Sequence, residues 1–138
     1  MQRILCLLYV LANIGTIMGE STQRFKDVVT PLARDCMSEV GAIEDDFQTV
    51  INRNRLESRN AKCLLACVYR QLGAFNDTDR LKNGDSVMPI MDKLYGFQDF
   101  GTVMKTQVVH NCVNEVNGAD DDRCELVMHF LHCVIQHY

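Results

Sequence analysis

Apolar residues recur along this chain at intervals of three and four positions, which is the spacing of one buried face of an α-helix. In residues 24–40, for example, Phe25, Val29, Leu32 and Cys36 follow this period. The same pattern predicts six helices, over residues 24–40, 44–52, 61–72, 87–95, 99–116 and 123–137. No stretch of the sequence alternates as a half-buried strand does, and no internal repeat occurs, so the predicted fold class is all-α.

Polar and helix-breaking residues predict where the helices begin and end. Asn60 is predicted to cap the third helix, and Asp85 with Ser86 the fourth. Pro31 is predicted to kink the first helix or to mark its true start. The last helix is apolar nearly all the way round, so it is expected to lie centrally and to be covered by its neighbours.

Two connections between the predicted helices carry candidate chemistry. Residues 53–59 are polar and mixed in charge, and a solvated connection is the preferred interpretation, with an anion site at their three arginines as the alternative. Residues 74–85 are rich in turn-forming residues. Within them, Asn76-Asp77-Thr78 matches the N-glycosylation sequon, which makes Asn76 a glycosylation candidate.

The amino terminus has the order of a secretory signal peptide. Arg3 precedes an apolar run over residues 4–12, and the best cleavage position follows Gly19. The run is shorter than the roughly 20 residues that a transmembrane helix needs. Residues 1–19 are therefore predicted to be removed on secretion, which leaves one helical domain over residues 20–138.

The net charge of the chain is negative. It carries 14 Lys and Arg against 18 Asp and Glu, a formal net charge of −4, and loss of Arg3 with the signal peptide removes one more positive charge. An acidic chain without a basic run offers no electrostatic footprint for nucleic acid or for an anionic membrane. Nucleic acid is therefore excluded from the expected partners.

The cysteine count agrees with secretion. Seven cysteines become six when Cys6 leaves with the signal peptide, and an even number fits a set of three disulfides in an oxidising compartment. Cys63 and Cys67 lie one helical turn apart, which is too far for them to bond to each other. Cys124 and Cys133 lie on opposite faces of the last helix and are excluded as a pair as well. The other pairings stay open, but the helix with Cys63 and Cys67 must be tied to two other segments and is the expected hub.

Three other kinds of protein are weighed against this pattern. The spacing of Cys63, Cys67, His129 and His132 allows a zinc site, but an oxidising compartment disfavours the free thiolates that zinc needs. The sequence contains neither a G-x-S-x-G nor an H-E-x-x-H motif, so we expect no enzyme, no metal and no other cofactor. A membrane-active protein of the saposin kind has six cysteines too, but with another spacing and a more basic surface.

The cysteine spacing carries a resemblance to a known family. The six mature cysteines are separated by 26, 3, 44, 11 and 8 residues, in a secreted, acidic and helical chain. This chain closely resembles the insect odorant-binding and pheromone-binding proteins, over the whole of residues 20–138. The resemblance implies bonds of the first cysteine with the third, the second with the fifth and the fourth with the sixth, which are Cys36–Cys67, Cys63–Cys124 and Cys112–Cys133. The gap of 44 is slightly longer than usual in that family and implies an enlarged loop near residues 74–87.

The resemblance also implies a fold and a function. The expected fold is a compact six-helix domain with three interlocking disulfides around an internal apolar cavity. The expected function is that of a secreted carrier, which holds a small apolar ligand such as an odorant or pheromone and moves it through aqueous lymph to a membrane odorant receptor. A carrier or scavenger in glandular, salivary or reproductive fluid is the alternative. The protein is expected to be a monomer or a weak homodimer.

The apolar surface of the last three helices exceeds one packed stripe and supplies candidates for the cavity wall. Four of these candidates are methionines, whose flexible side chains suit an irregular pocket. The predicted ligand-binding residues are Met88, Met91, Leu94, Tyr95, Phe97, Phe100, Met104, Val108, Met128, Phe130, Leu131, Val134 and Ile135.

Three histidines share the last predicted helix and are candidates for a pH switch, since histidine titrates near neutral pH. His129, His132 and His137 are hypothesised to loosen the carboxyl-terminal wall when they are protonated near an acidic membrane surface. Exposed histidines without a role are the alternative interpretation. Equal ligand affinity at neutral and mildly acidic pH would contradict the switch.

Overall fold

The computed structural model describes residues 23–96, 102–119 and 121–137, and in the fifth helix it describes side chains from residue 106 onward. The described residues form six helices: α1 (residues 23–40), α2 (Glu44–Ile51), α3 (Arg59–Gln71), α4 (Gly84–Tyr95), α5 (Thr102–Asn117) and α6 (Arg123–Gln136). The all-α prediction is confirmed. The predicted signal peptide lies outside the described residues, as do Phe97, Phe100 and the side chain of Met104.

The helices begin at other residues than the sequence suggested. Ser58 caps α3, because its Oγ accepts a hydrogen bond from the backbone N–H of Ala61 at 3.0 Å, so the prediction of Asn60 is wrong. Asn83 caps α4 through a bond from the N–H of Ser86 at 2.9 Å, which starts that helix three residues earlier than predicted. Serine and asparagine side chains offer equivalent acceptors at several nearby positions, so sequence alone does not choose among them.

Helix α1 runs through Pro31, so the prediction that this proline marks the start of the helix is wrong. Proline lacks the N–H that would bond one turn back, and it tends to end or kink a helix. Here the turns before it are held by tertiary packing, because Phe25 and Val29 are buried in the core. Pro31 itself is exposed, on the opposite side of the helix.

Helix α3 is the hub of the fold, as the cysteines indicated. It packs against α2 on one side and α6 on the other, and α5 packs between α4 and α6. The largest fully buried side chains come from three of the helices and one loop: Tyr69, Phe130, Leu64, Leu81, Met91, Leu94 and Leu126. The core therefore runs across α3, α4 and α6 as one cluster.

Three disulfides join the helices in the pairing that the resemblance implied. Cys36–Cys67 ties α1 to α3, with their Cα atoms 6.0 Å apart. The other two bonds end on α6, where they tie it to α3 and to α5: Cys63–Cys124 with Cα atoms 4.5 Å apart, and Cys112–Cys133 with Cα atoms 5.7 Å apart. The bonded state of Cys63 and Cys67 leaves no thiolates for the alternative zinc site.

Helix α6 packs against α3 and α5, as expected of a central helix, but in the part of the chain that the structure describes one side of it is exposed, so the prediction that its neighbours cover it is wrong. Phe130 and Val134 are buried against the core. His129, His132 and Ile135 lie on the other side, and Ile135 is 71% exposed. The sequence could not distinguish apolar residues that are buried in the core from apolar residues that line an open pocket, because both sites contain the same types of side chain.

The segment between α3 and α4 is held in place by one side chain of α5. Phe75 and Leu81 form an isolated antiparallel bridge within this segment. The Asn117 side chain then brackets the buried Leu81: its Oδ1 accepts from the Leu81 N–H at 3.0 Å, and its Nδ2 donates to the Leu81 carbonyl at 2.8 Å. The Asn117 side chain thus joins the loop to the end of α5 through two hydrogen bonds.

Substitution of Asn117→Ala is expected to lower the free energy of unfolding by about 1–3 kcal/mol, since it leaves both backbone groups of a buried residue without a partner. Asn114→Ala is the matched control, because Asn114 is exposed on the same helix and gains the same helix propensity. Urea denaturation of the two variants measures the difference. Equal stability of the two variants would contradict the bracketing role.

An exposed ion pair connects α1 to the start of α2. The guanidinium of Arg34 contacts the Glu44 carboxylate through two nitrogens, at 2.6 and 3.0 Å, and lies 3.6 Å from the centre of the Phe47 ring. The hydrogen bonds from Arg34, with a further bond from Gln48, lower the pKa of Glu44 from 4.5 to about 2. The ionised carboxylate is thus favoured in the folded protein.

This pKa predicts an acid-dependent contribution to stability. Because the folded pKa lies below the unfolded value, the contribution is present above about pH 4.5 and is lost as the pH falls toward 2. Wild type is therefore expected to be more stable than Glu44→Gln at pH 7, with the difference shrinking at acidic pH. Urea midpoints of both proteins across this range measure it, and a constant difference would contradict the assignment.

Candidate ligand pocket

A cavity of about 540 Å³ opens between the helices. Its walls come from α1, from the end of α2 and the connection that follows, and from α3, α4 and α6. The described residues that line it are Phe25, Val50, Arg53, Asn54, Arg55, Leu56, Leu65, Met91, Tyr95, Met128, Leu131, His132, Val134 and Ile135. Cavities that hold small organic ligands in proteins typically measure about 300–1,000 Å³, so this one has the size for such a ligand.

The interior and the mouth of the cavity differ in chemistry. Leu65 on the hub helix, Met91 and Val134 are buried, and they form the inner wall. Arg53 and Asn54 are exposed, which places the connection after α2 at the mouth. A ligand in this pocket would therefore lose water from its apolar part while one end remains near polar groups.

Three aromatic side chains make up one corner of the pocket region. The rings of Phe25 and Tyr95 stack with their centroids 5.6 Å apart. The Tyr95 hydroxyl lies 2.9 Å from the hydroxyl of the buried Tyr69, close enough for a hydrogen bond in which either can donate. Burial is the main cause that raises the pKa of both phenols, well above the ordinary value for Tyr69. Both tyrosines are therefore neutral near physiological pH, and their hydroxyls remain hydrogen-bond donors.

Arg53 occupies an unusual backbone position at the mouth. Its φ of 56° is in the left-handed region, which glycine favours. Its N–H donates to the carbonyl of Val50, and the N–H of Asn54 donates to the carbonyl of Thr49, which is the hydrogen-bond pattern of a Schellman helix end. The Arg53 guanidinium lies 5.3 Å from the Phe25 ring centroid and 5.0 Å from that of Tyr95.

The structure brings together six of the predicted ligand-binding residues, which line the cavity: Met91, Tyr95, Met128, Leu131, Val134 and Ile135. Four others lie outside the lining, and their side chains pack in or against the core: Met88, Leu94, Val108 and Phe130. Phe97, Phe100 and Met104 lie outside what the structure describes. Contact of any of these residues with a ligand stays a prediction.

Sequence reasoning missed the side of the pocket that comes from the first half of the chain. These lining residues are Phe25, Val50, Arg53, Asn54, Arg55, Leu56 and Leu65. The connection after α2 was interpreted as solvated, and its arginines are indeed exposed, but one side of it faces the cavity. The available signal was the end of α2. No glycine follows this helix, so a residue with a side chain, Arg53, has to adopt the positive φ of the helix end.

The histidines of the predicted switch have different surroundings. His132 lines the cavity and is exposed. The Nδ1 of His129 lies 2.7 Å from Oδ2 of Asp121, so protonation of His129 would form an ion pair there and strengthen that contact. His137 follows the end of α6 and is exposed. Acid-driven loosening of the wall stays a prediction, and His132 is the histidine placed to affect a ligand.

Asn76, the glycosylation candidate, is exposed in the segment between α3 and α4. Its Oδ1 accepts hydrogen bonds from the N–H and the hydroxyl of Thr78 and from the N–H of Arg80. Glycosylation at this position stays a prediction. Within the described ranges, no helix is long and apolar enough to cross a membrane.

Comparison with known proteins gives a family match and a similar sequence. A model of the PBP/GOBP family matches residues 19–137. General odorant-binding protein 19d of Drosophila melanogaster is 23% identical over 135 residues, which cover 96% of this chain and 87% of that protein. These matches extend over nearly the whole sequence.

Two solved structures share the fold. One is a pheromone-binding protein from the cockroach Leucophaea maderae in complex with the fluorescent reporter 1-anilinonaphthalene-8-sulfonic acid (ANS). It is 52% identical, with a TM-score of 0.73, and the match covers 86% of this chain and 98% of that one. The odorant-binding protein dmelOBP28a from Drosophila melanogaster is 22% identical, with a TM-score of 0.59 and coverage of 80% and 89%, and it supports the fold alone.

Proposed function

Because the chain belongs to the PBP/GOBP family, a family of binding proteins, we propose that it is a carrier for small hydrophobic ligands. The observation that carries this proposal is the cavity of about 540 Å³ whose inner wall is apolar. An odorant or pheromone would dissolve poorly in an aqueous fluid, and the pocket would shield its apolar surface from water.

The burial of apolar surface gives the expected strength of binding. About ten buried methylenes at roughly 0.8 kcal/mol each contribute about 8 kcal/mol before the cost of association. Association itself costs several kcal/mol, and packing contacts with the ligand offset part of this cost. The expected dissociation constant is therefore near the micromolar range, which corresponds to a binding free energy of about −8 kcal/mol. Such affinities permit both loading and release.

The proposed place of action is an extracellular fluid. Three disulfides fit an oxidising compartment, and the family match begins at residue 19, beside the predicted cleavage position after Gly19. Mature residues 20–138 would then carry ligand through sensillar lymph to a membrane odorant receptor. The same carrier chemistry would serve in another secretory fluid, and the tissue that secretes the protein distinguishes these uses.

Displacement of a fluorescent probe tests the carrier function. ANS is the probe of choice because the cockroach protein was solved in complex with this fluorescent reporter. We expect ANS to bind the secreted protein and long-chain alcohols, aldehydes, esters or acids to displace it at micromolar concentrations. Native mass spectrometry of the same sample should show a mass lower by the six hydrogens of three disulfides.

A pair of variants locates the binding. Met128→Trp adds volume to the cavity wall and should weaken probe binding at least about tenfold. Gln136→Trp adds the same side chain to an exposed position of α6 outside the lining and should bind like wild type. A correctly disulfide-bonded wild type that binds neither ANS nor any of the panel would contradict the carrier function.

A further inference from the structure

Apart from Tyr95, the ionisable side chains among the described lining residues of the pocket are all basic. Its mouth includes two arginines and a histidine, Arg53, Arg55 and His132, together with the amide of Asn54. None of the described lining residues is an Asp or Glu, although acidic residues outnumber basic ones by 18 to 14 in the chain. The mouth is therefore a locally positive site on an acidic protein.

Among the residues that the structure describes, Arg53 has no anionic partner, unlike its neighbours. Arg59, from the same arginine cluster, pairs with Asp122 at 2.8 Å, and Arg55 reaches Glu57 only at 3.9 Å. Within the described part of the chain, the Arg53 side chain makes ring contacts but neither an ion pair nor a hydrogen bond. Ring contacts satisfy none of the five N–H donors of a guanidinium, so these donors are available to a ligand.

The backbone at Arg53 adds an independent observation. At this helix end the left-handed position favours glycine, and any side chain there costs conformational energy. The helix end would form equally well with glycine, so the arginine is not explained by the turn. The side chain lies beside the Phe25 and Tyr95 rings at the mouth of the cavity, where it can contact a bound ligand.

We propose that the pocket selects amphiphiles with an anionic head group, with long-chain carboxylates as the natural class. The carboxylate would bind the Arg53 guanidinium at the mouth, while the chain extends along Leu65, Met91 and Val134 into the interior. Guanidinium and carboxylate match as bidentate partners, and such charge-assisted hydrogen bonds are about twice as strong as neutral ones. This inference rests on the proposed carrier function and specifies its ligand.

Two pairs of compounds that differ only in the head group test the inference. ANS is compared with N-phenyl-1-naphthylamine, which has the same rings without the sulfonate, and dodecanoate is compared with dodecanol. In Arg53→Gln, affinity for ANS and dodecanoate is expected to fall about tenfold, and affinity for the two neutral compounds to stay within about twofold. Higher salt should weaken wild-type binding of the anions only.

Further variants separate the head-group contact from other effects of the substitution. Lys82→Gln removes the same charge from an exposed position outside the lining and should change nothing. Arg53→Lys keeps the charge but loses the planar fork, so its affinity for dodecanoate should be intermediate. Arg53→Gly suits the left-handed backbone and provides a second folded variant without the guanidinium.

The outcomes distinguish this inference from the carrier function. Equal losses for the anionic and the neutral compound, or no loss for either, would overturn the head-group selection and leave the carrier standing. Failure of wild type to bind even the neutral probe would instead remove the carrier function.

Discussion

Replacement of both Cys63 and Cys124 by alanine is expected to lower the free energy of unfolding by about 4 kcal/mol. The bond between them closes a loop of 61 residues and ties the hub helix α3 to α6. In the chain-entropy model, the stabilisation comes from the restricted unfolded chain and grows with the logarithm of the loop length. The double variant leaves neither partner of this bond as an unpaired thiol, so its effect reports the loss of the bond.

The Cys112–Cys133 bond supplies the comparison for this experiment. It closes a loop of 21 residues, for which the same model gives about 3 kcal/mol. Urea denaturation of both double variants should thus show the larger loss for the longer loop. A larger loss for the Cys112 and Cys133 variant would mean that local packing around each bond, rather than chain entropy, sets its contribution.

Phe130→Ala is expected to lower the free energy of unfolding by about 3–5 kcal/mol, because Phe130 is 0% exposed and its removal leaves a cavity in the core. Its neighbour on the same helix, Met128, is half-buried and lines the pocket. Met128→Ala should cost about 1 kcal/mol of stability and weaken ligand binding roughly tenfold. Urea denaturation and probe binding on both variants measure these two effects.

The two variants separate core from pocket wall. In a ligand titration without denaturant, the folded fraction of Phe130→Ala should retain near wild-type affinity. Weak binding by that folded fraction would place Phe130 in contact with the ligand, as the sequence predicted. A stability loss at Met128→Ala as large as that at Phe130→Ala would mean that the pocket wall belongs to the rigid core.

The fold was largely predictable because cysteine spacing and helical period act over short distances. The three residues between Cys63 and Cys67 exclude a bond between them on any helix, and this made α3 the hub before its partners were known. Helix starts were harder to place. Ser58 and Asn60 lie two positions apart, both suit a helix cap, and the choice depends on which side chain reaches a free N–H in the folded chain.

The candidate pocket was only half predictable, for a different reason. An apolar side chain looks the same in sequence whether it faces the core, as Phe130 does, or a cavity, as Leu131 does. Phe25 was assigned to an ordinary helix face, and only the packing of the helices places it in one wall with Leu65. Arg53 belongs to a polar connection whose direction is set by the end of α2, which periodicity does not describe.

The arginine side of the pocket mouth lies on residues 53–56, a segment that contains no cysteine. Residues 53–56 follow the end of α2, whereas Leu65 and Val134 of the inner wall lie on α3 and α6, which the bond between Cys63 and Cys124 holds together. If the proposed head-group contact holds, exchange of these four consecutive residues should alter the head-group preference without changing any cysteine or the interior. A library of variants at these four positions should contain proteins that bind different amphiphiles on one unchanged scaffold. A sensor array requires such a set of binding proteins.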